Sequence, residues 1–239
     1  MEEIKELQRM INEAKTIVFF GGAGVSTESG LKDFRSIDGL YNQSYKYPPE
    51  VILSHDFFMN KTEEFYDFYR NKMNPLNIKP NIVHYYLAEL EKAGKLTAIV
   101  TQNIDNLHTL AGSKKVLELH GNVMRNYCMK CHKFYDGKMV FNSKNIPRCT
   151  CGGLIKPDVV LYEEGLDENI LNEAIKKISE ADMLIVAGTS LVVYPAAGLI
   201  RYYRGNKMVI INKDATDYDK MANLVIKANL KDVFQELHI

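Results

Sequence analysis

Residues Thr16 to Gly30 read TIVFFGGAGVSTESG: a short apolar, β-rich run followed immediately by a glycine-rich turn. That juxtaposition is how a nucleotide-binding α/β sheet begins, because glycines let the backbone approach a phosphate and a following helix start attracts anions. The dinucleotide fingerprint G-x-G-x-x-G also needs a third glycine and an acidic residue about twenty positions on, at the end of the next strand. Gly22-Ala23-Gly24 supplies the first half, Thr27 stands at the third glycine position, and no second strand with an acidic end follows. The phosphate logic survives and the dehydrogenase logic does not. A tight strand-to-helix turn without a ligand remains the alternative.

Further strand-like runs occur at 96–100, 116–119, 183–187, 208–212 and 224–226. Ile4, Leu7, Met10 and Ile11 have helical spacing. Helices are also expected at 80–93, at 167–180 with Asp167 as N-cap, from Pro195 in a first turn to about Arg204, and at 230–238. Nearly continuous apolar strands alternating with helices imply a parallel sheet covered on both faces. Two stretches interrupt the alternation: an aromatic-rich one from Phe34 to Pro80, and one from Asn122 to Pro157 holding all four cysteines. The expected fold is α/β, a Rossmann-like parallel-sheet domain with a smaller zinc-ribbon plus helical lobe. Residues 1–36, 79–124 and 156–239 are assigned to the large domain. A helical insertion, 37–78, and a zinc-binding module, 125–155, make the small lobe.

The 239 residues are 46% hydrophobic, enough for one sizeable core, and carry 30 basic against 30 acidic side chains. A balanced charge gives no reason for a constitutive nucleic-acid or membrane partner. The start, MEEIKELQRM, lacks the basic and apolar regions of a signal peptide, and no run of eighteen apolar residues occurs. A cytoplasmic protein is expected, and in a reducing compartment four cysteines read as metal ligands before disulfides. Cys128-x-x-Cys131 and Cys149-x-Cys151, separated by 17 residues, match a zinc ribbon. Four thiolates leave no open position, so that zinc is expected to be structural. His132 replacing one cysteine is the alternative set.

The polar stretch Thr101-Gln102-Asn103-Ile104-Asp105-Asn106-Leu107-His108 follows the run LTAIV, and VLEL ends in His120-Gly121. Open α/β sheets bind ligands at the carboxyl ends of their strands. A histidine there has the proton affinity of a general base near neutral pH. Taken singly, His120 also reads as a hydrogen-bonded structural histidine, and Asn103 and Asp105 as turn formers.

Taken together and in order, GAGVSTESGLKDFR, TQNIDNLH, the later HG, the paired cysteines, GTSLVVYPAA (188–197) and VIIN (209–212) resemble the sirtuin family of NAD-dependent protein deacylases, from about residue 15 to the end. The resemblance implies a Rossmann-like domain and a small zinc-and-helical lobe with the cleft between them. It implies that NAD is consumed, the acyl group passing from lysine to ADP-ribose as nicotinamide leaves. By position it implies phosphate and ribose contacts from Gly22, Ala23, Gly24, Ser26 and Thr27, a cover over the reactive ribose carbon from Phe34, and support from Arg35. Gln102 and Asn103 should contact ribose, Asn103 also orienting water, and Ile104 and Asp105 should hold the carboxamide. His120 should be the base that activates a ribose hydroxyl. Gly188, Thr189 and Ser190 should meet the phosphate and adenosine side, Asn212 the adenosine ribose, and Lys231-Asp232 the adenine. An acylated-lysine peptide should lie along residues 155–165, with Val160 on the acyl-lysine tunnel and Leu161 and Tyr162 beside it. A protein ADP-ribosyltransferase using the same pocket is the competing enzyme reading.

Three departures stand out. Lys32 replaces the family's proline in SGIPDFR. Tyr162-Glu163-Glu164 replaces F-G-E, leaving the carboxylates either to favour basic substrate flanks or to form a solvated face. Members that remove acidic acyl groups carry Y-x-x-R. Here Tyr69 stands where arginine is expected, and Arg70 lies one step on, about 100° around a helix. A preference for neutral acyl groups such as acetyl is expected.

Overall fold

The computed structural model describes residues 2–32 and 46–239. In chain order the elements are α1 (Glu2–Glu13), β1 (Ile17–Gly21), α2 (Pro49–Ile52), α3 (His55–Asn60), α4 (Thr62–Lys72), α5 (Ile82–Lys92), β2 (Leu96–Thr101), α6 (Leu107–Leu110), β3 (Val116–Glu118) and β4 (Gly121–Cys128). They continue with β5 (Phe134–Asp136), α7 (Gly137–Phe141), β6 (Ile155–Val159), α8 (Glu168–Glu180), β7 (Met183–Ala187), β8 (Met208–Asn212), β9 (Leu224–Lys227) and α9 (Leu230–Phe234).

β1 is buried at all five positions. A strand with no solvent face must be covered on both sides, and its alternation shows how. Ile17 and Phe19 enter one core with Leu7 and Ile11 of α1, Leu87 and Leu90 of α5, and Val233 and Phe234 of α9. Val18 and Phe20 enter the other, with Ala174 and Ile178 of α8 and Leu199 and Ile200. Each phenylalanine contributes about 1.5–3 kcal/mol by leaving water. The six expected strands form one parallel sheet, order β3-β2-β1-β7-β8-β9. Strand order reverses direction between β1 and β7, the switch point at which such sheets open a crevice.

A third core joins α2–α4 to the cysteine-bearing stretch: Phe58, Phe65, Tyr66 and Tyr69 pack with Val123, Cys128, Phe141, Cys149 and Ile155. The stretch from Asn122 to Pro157, in which no strand is read from the sequence, contains a small sheet. β5, β4 and β6 form an antiparallel sheet in that order. Its period-two signal is hidden because Asn122 and Asn126 are buried, and because the register shifts between them. β4 spans the expected boundary at 124/125. Two helices also differ. After Pro195 the chain forms a 3-10 helix, Ala196–Tyr202, with Pro195 as its N-cap, and α9 stops at Phe234. In both places bonds to the third residue back, Gly198 N–H to Pro195 O and Leu237 N–H to Phe234 O, tighten the turn.

His84 and His108 lie buried with ring centroids 4.7 Å apart, and His84 Nε2 and both His108 nitrogens have no hydrogen-bond partner among the described residues. Burial lowers the His84 pKa to about 4 and pushes His108 well below its ordinary value. Both stay neutral in the fold but bind protons when unfolded, so the stability they permit is complete above pH 6.5 and lost as pH falls toward 4. His84 alone is expected to cost about 2 kcal/mol between pH 7 and 5. Melting temperatures measured across that window should fall less steeply in His84→Gln.

Candidate active site

The parallel register brings the carboxyl ends of β1, β2, β3, β7 and β8 to one edge, where they line a cleft of about 1370 Å³. Gly22, Ala23, Gly24, Ser26, Thr27, Gln102, Asn103, Ile104, Asp105, His120, Val160, Leu161, Tyr162, Gly188, Thr189, Ser190 and Asn212 all line it. Asp232 does not: its carboxylate accepts from Asn229 Nδ2 at 3.2 Å, and Ala228, Asn229 and Leu230 form the wall there. Phe34 and Arg35 lie outside the described residues. Lys213 to Thr216 also line the cleft. They follow the strand end at Asn212, so the rule that found Gln102 could have found them.

The glycine loop does not open a long helix but turns through two 3-10 turns, Ala23–Val25 and Thr27–Ser29. Its glycines first serve the protein itself. A Cβ on Gly24 would meet Gly188 Cα at 2.8 Å, and one on Gly188, at φ 60°, would meet Val25 N at 2.5 Å. The loops after β1 and β7 touch backbone to backbone across the switch point, with Gly24 N–H donating to Gly188 O. Asn81, the N-cap of α5, holds the loop from behind through Val25 O and Ser29 Oγ.

His120 Nδ1 lies 2.9 Å from Gln102 O. A carbonyl only accepts, so Nδ1 carries the proton and Nε2 keeps its lone pair. Burial lowers the His120 pKa, opposed by that hydrogen bond. Ser26 Oγ donates to Asp105 Oδ2 at 2.7 Å and accepts from Asn103 Nδ2 at 3.1 Å. Asp105 Oδ1 takes the Leu107 N–H, and burial raises the Asp105 pKa. Gln102 Nε2 donates to Thr189 Oγ1, while the Asn212 amide clamps the Thr189 N–H and C=O. The strand ends thus form a polar lining of two linked sets, Asn103–Ser26–Asp105 and Gln102–Thr189–Asn212, with Asn212 joined through the Thr189 main chain.

The segment after β6 is tied to both bodies. Val160 N–H donates to His120 O, and Tyr162 exchanges main-chain bonds with Leu53 and His55. Glu164 accepts from Leu161 N–H and Lys156 Nζ and pairs with His55 Nδ1. Burial raises its pKa, but these partners outweigh burial and leave it below the ordinary value. Glu163 Oε2 takes the Asp56 N–H, and its φ of 76° is the left-handed conformation that the family's glycine would suit. Both carboxylates hold this segment to α3, while Glu163 stays exposed and both residues line the cleft. Tyr69 lines the cleft, whereas Arg70 donates to Ser143 Oγ and Asn145 O.

Gly121, next to His120, has φ 77°, and a Cβ there would lie 2.0 Å from Asp158 O. Gly121→Ala is expected to push β4 from β6, cost about 3 kcal/mol or more and depress activity while His120 is intact. Calorimetry and turnover on the purified variant check it.

The four cysteine Sγ atoms lie within 4.8 Å of one another, three pairs at 3.5 Å. A tetrahedral zinc with Zn–S of about 2.3 Å requires sulfurs about 3.8 Å apart, so the set fits zinc. His132 is not part of the group. A Cβ on Gly153 would sit 2.6 Å from Cys128 Sγ, and the Lys130 and Cys151 N–H groups point at sulfurs. This is a cradle shaped for thiolates.

Known proteins agree with this geometry. A model of the Sir2 family matches residues 22–195. An NAD-dependent protein deacetylase of Clostridium acetobutylicum is 59% identical over 239 residues, covering 98% of each chain. A solved Sir2–p53 peptide–NAD+ complex is 42% identical with a TM-score of 0.84, covering 97% of this chain and 95% of that one. A Sir2 complex with 2'-O-acetyl-ADP-ribose and a deacetylated p53 peptide is 40% identical, TM-score 0.84, covering 97% and 96%. With the switch-point cleft, the carbonyl-held histidine and the four-sulfur cradle in one chain, and a family match across most of its length, this protein belongs to the Sir2 family.

Proposed function

We propose that this chain is an NAD-dependent protein-lysine deacetylase, yielding free lysine, nicotinamide and O-acyl-ADP-ribose. The observation that carries the reading is His120, its tautomer set by Gln102 O, in one cleft with the linked Asn103–Ser26–Asp105 set. When bound, NAD supplies the ribose carbon that receives the acyl oxygen as nicotinamide departs. His120 Nε2 takes a proton from the hydroxyl placed against it. Asp105, anchored by Ser26 and Leu107, presents a carboxyl fixed in position for an amide. Gln102 and Asn103 face the sugar, and Gly22, Ala23, Gly24, Ser26 and Thr27 with Gly188, Thr189 and Ser190 flank the phosphates. Asn212 serves the adenosine side through the Thr189 main chain it clamps.

Residues 160–162 guide the extended substrate peptide. A preference for neutral acyl groups is supported by Tyr69 lining the cleft where acidic-acyl members carry arginine, with Arg70 engaged outside that lining. The large domain comprises 1–36, 79–124 and 156–239; 37–78 and 125–155 form the small lobe, joined to it through β4 and β6. The partners are acylated proteins, without constitutive nucleic acid, and the setting is the cytoplasm. Among the described residues, no helix is long and apolar enough to cross a membrane.

Mass spectrometry of an acetyl-lysine peptide with and without NAD tests the reading. Deacetylation should require NAD and release one nicotinamide per lysine freed; turnover without NAD would sink it.

A further inference from the structure

Charge is balanced over the whole chain but not within it. Residues 125–155 carry six basic side chains and one acidic, Asp136; the other residues carry 24 against 29, that is 30 less 6 and 30 less 1. Even with the two negative charges of a four-thiolate zinc site, the module stays positive. Arg125 is neutralised by Glu118 and Asp158. Lys130, Lys133, Lys138, Lys144 and Arg148 are exposed and, among the described residues, have no acidic partner. The four sulfurs that draw Cys128 and Cys131 to Cys149 and Cys151 also bring Lys130 and Lys133 into the neighbourhood of Arg148. Beside these cations Tyr127, Met129 and Phe134 are exposed, and the Tyr127 and Phe134 rings face each other across β4 and β5 with centroids 5.7 Å apart. β5 is the outer strand of its sheet, and such a strand can pair with an added one. β4 runs from Gly121, beside His120, to Cys128 at the zinc end. At about 3.3 Å per residue it holds this face roughly 20 Å from His120.

Resting on the deacylase reading, we propose that this basic and apolar face of the zinc module is an exosite for an acidic, extended segment of the acylated protein, separate from the cleft that takes the acyl-lysine. Charge complementarity selects the occupant: cations without partners attract carboxylates, and Tyr127, Met129 and Phe134 receive the apolar side chains between them. Acylation removes a lysine's charge, so the acylated protein is more acidic than its deacylated product. Nucleic acid fits less well. Tyr127 and Phe134 meet edge to face, which leaves no pair of parallel platforms for stacked bases. A long polyanion would also run onto the net-acidic remainder of the chain.

The test uses the zinc-loaded full chain and matched acetyl-lysine peptides that carry a glutamate or a glutamine tract about ten residues from the acetyl-lysine, on either side, the reach that this separation needs. On at least one side the glutamate peptide should show a KM about fivefold lower at low salt, the yield of a few exposed ion pairs, with kcat unchanged. That advantage should vanish in the wild type between about 0.05 and 0.5 M salt, and at low salt in Lys130→Gln/Lys133→Gln/Arg148→Gln with zinc content verified. If the variant loses zinc, the salt series on the wild type decides. Equal KM for the matched peptides, an advantage insensitive to salt, or one that survives in the zinc-replete variant would each overturn the proposal. So would a labelled oligothymidylate that binds the wild type and not the variant while the glutamate tract leaves KM unchanged, since the face would then belong to nucleic acid. If a short acetyl peptide is not deacetylated with NAD, the deacylase reading itself fails; normal turnover of it with indistinguishable tracts overturns only this inference.

Discussion

His120→Ala is expected to lower kcat/KM for the acetyl peptide by two to four orders of magnitude, the usual contribution of a positioned general base. Among the described residues the side chain makes one hydrogen bond, to Gln102 O, so its loss should leave the fold and the zinc content unchanged. The pH profile gives the sharper test. The base works only when neutral, and burial pulls the His120 pKa below its ordinary value. Activity should therefore persist below pH 6.5 and be lost only as pH falls through the depressed pKa. That acid limb should be absent from the residual rate of His120→Ala. A limb at or above pH 6.5, or a variant with wild-type turnover, would remove His120 from the role.

Removing zinc should have the largest effect on stability. Structural zinc binding in finger peptides is worth about 10–16 kcal/mol, comparable with the entire 5–15 kcal/mol stability of a typical domain. Cys128 and Cys149 are buried in the same core as Phe141, Ile155 and Tyr69. Loosening the cradle therefore frees β4 and β6, and β6 leads into Val160, whose N–H holds the His120 carbonyl. Chelation, or Cys149→Ala, is expected to lower the melting temperature by ten degrees or more and abolish turnover. Calorimetry alongside metal analysis checks it. Unchanged melting after verified removal would refute a structural metal.

The large sheet was legible because its strands are apolar on both faces and announce themselves without tertiary context. The small sheet was not. β4 buries Asn122 and Asn126 and shifts register between them, so neither alternation nor composition marks it. The candidate site was readable where strand ends coincide with polar runs, at Gln102 to Asp105 and at His120. Asn81 and Glu164 act through contacts far apart in sequence, 56 residues from Val25 and 109 from His55, and no local pattern reports such pairs. The glycines have a second reason that the sequence does not show: besides lining the cleft, Gly24 and Gly188 need their space for each other.

The central position of β1 has a consequence for how the molecule is made. The sheet's first strand in chain order needs two neighbours, and Ile17 meets Leu96 on one side and Met183 on the other. Its second partner is thus 166 residues away, 183 less 17. Until Met183 to Ala187 leave the ribosome, one edge of an entirely apolar strand stays open. Such distant pairing makes folding slow and exposes a sticky edge meanwhile. Aggregation on rapid expression should start from residues 17–21, and the nucleotide cleft, which straddles that last pairing, is among the final features to form.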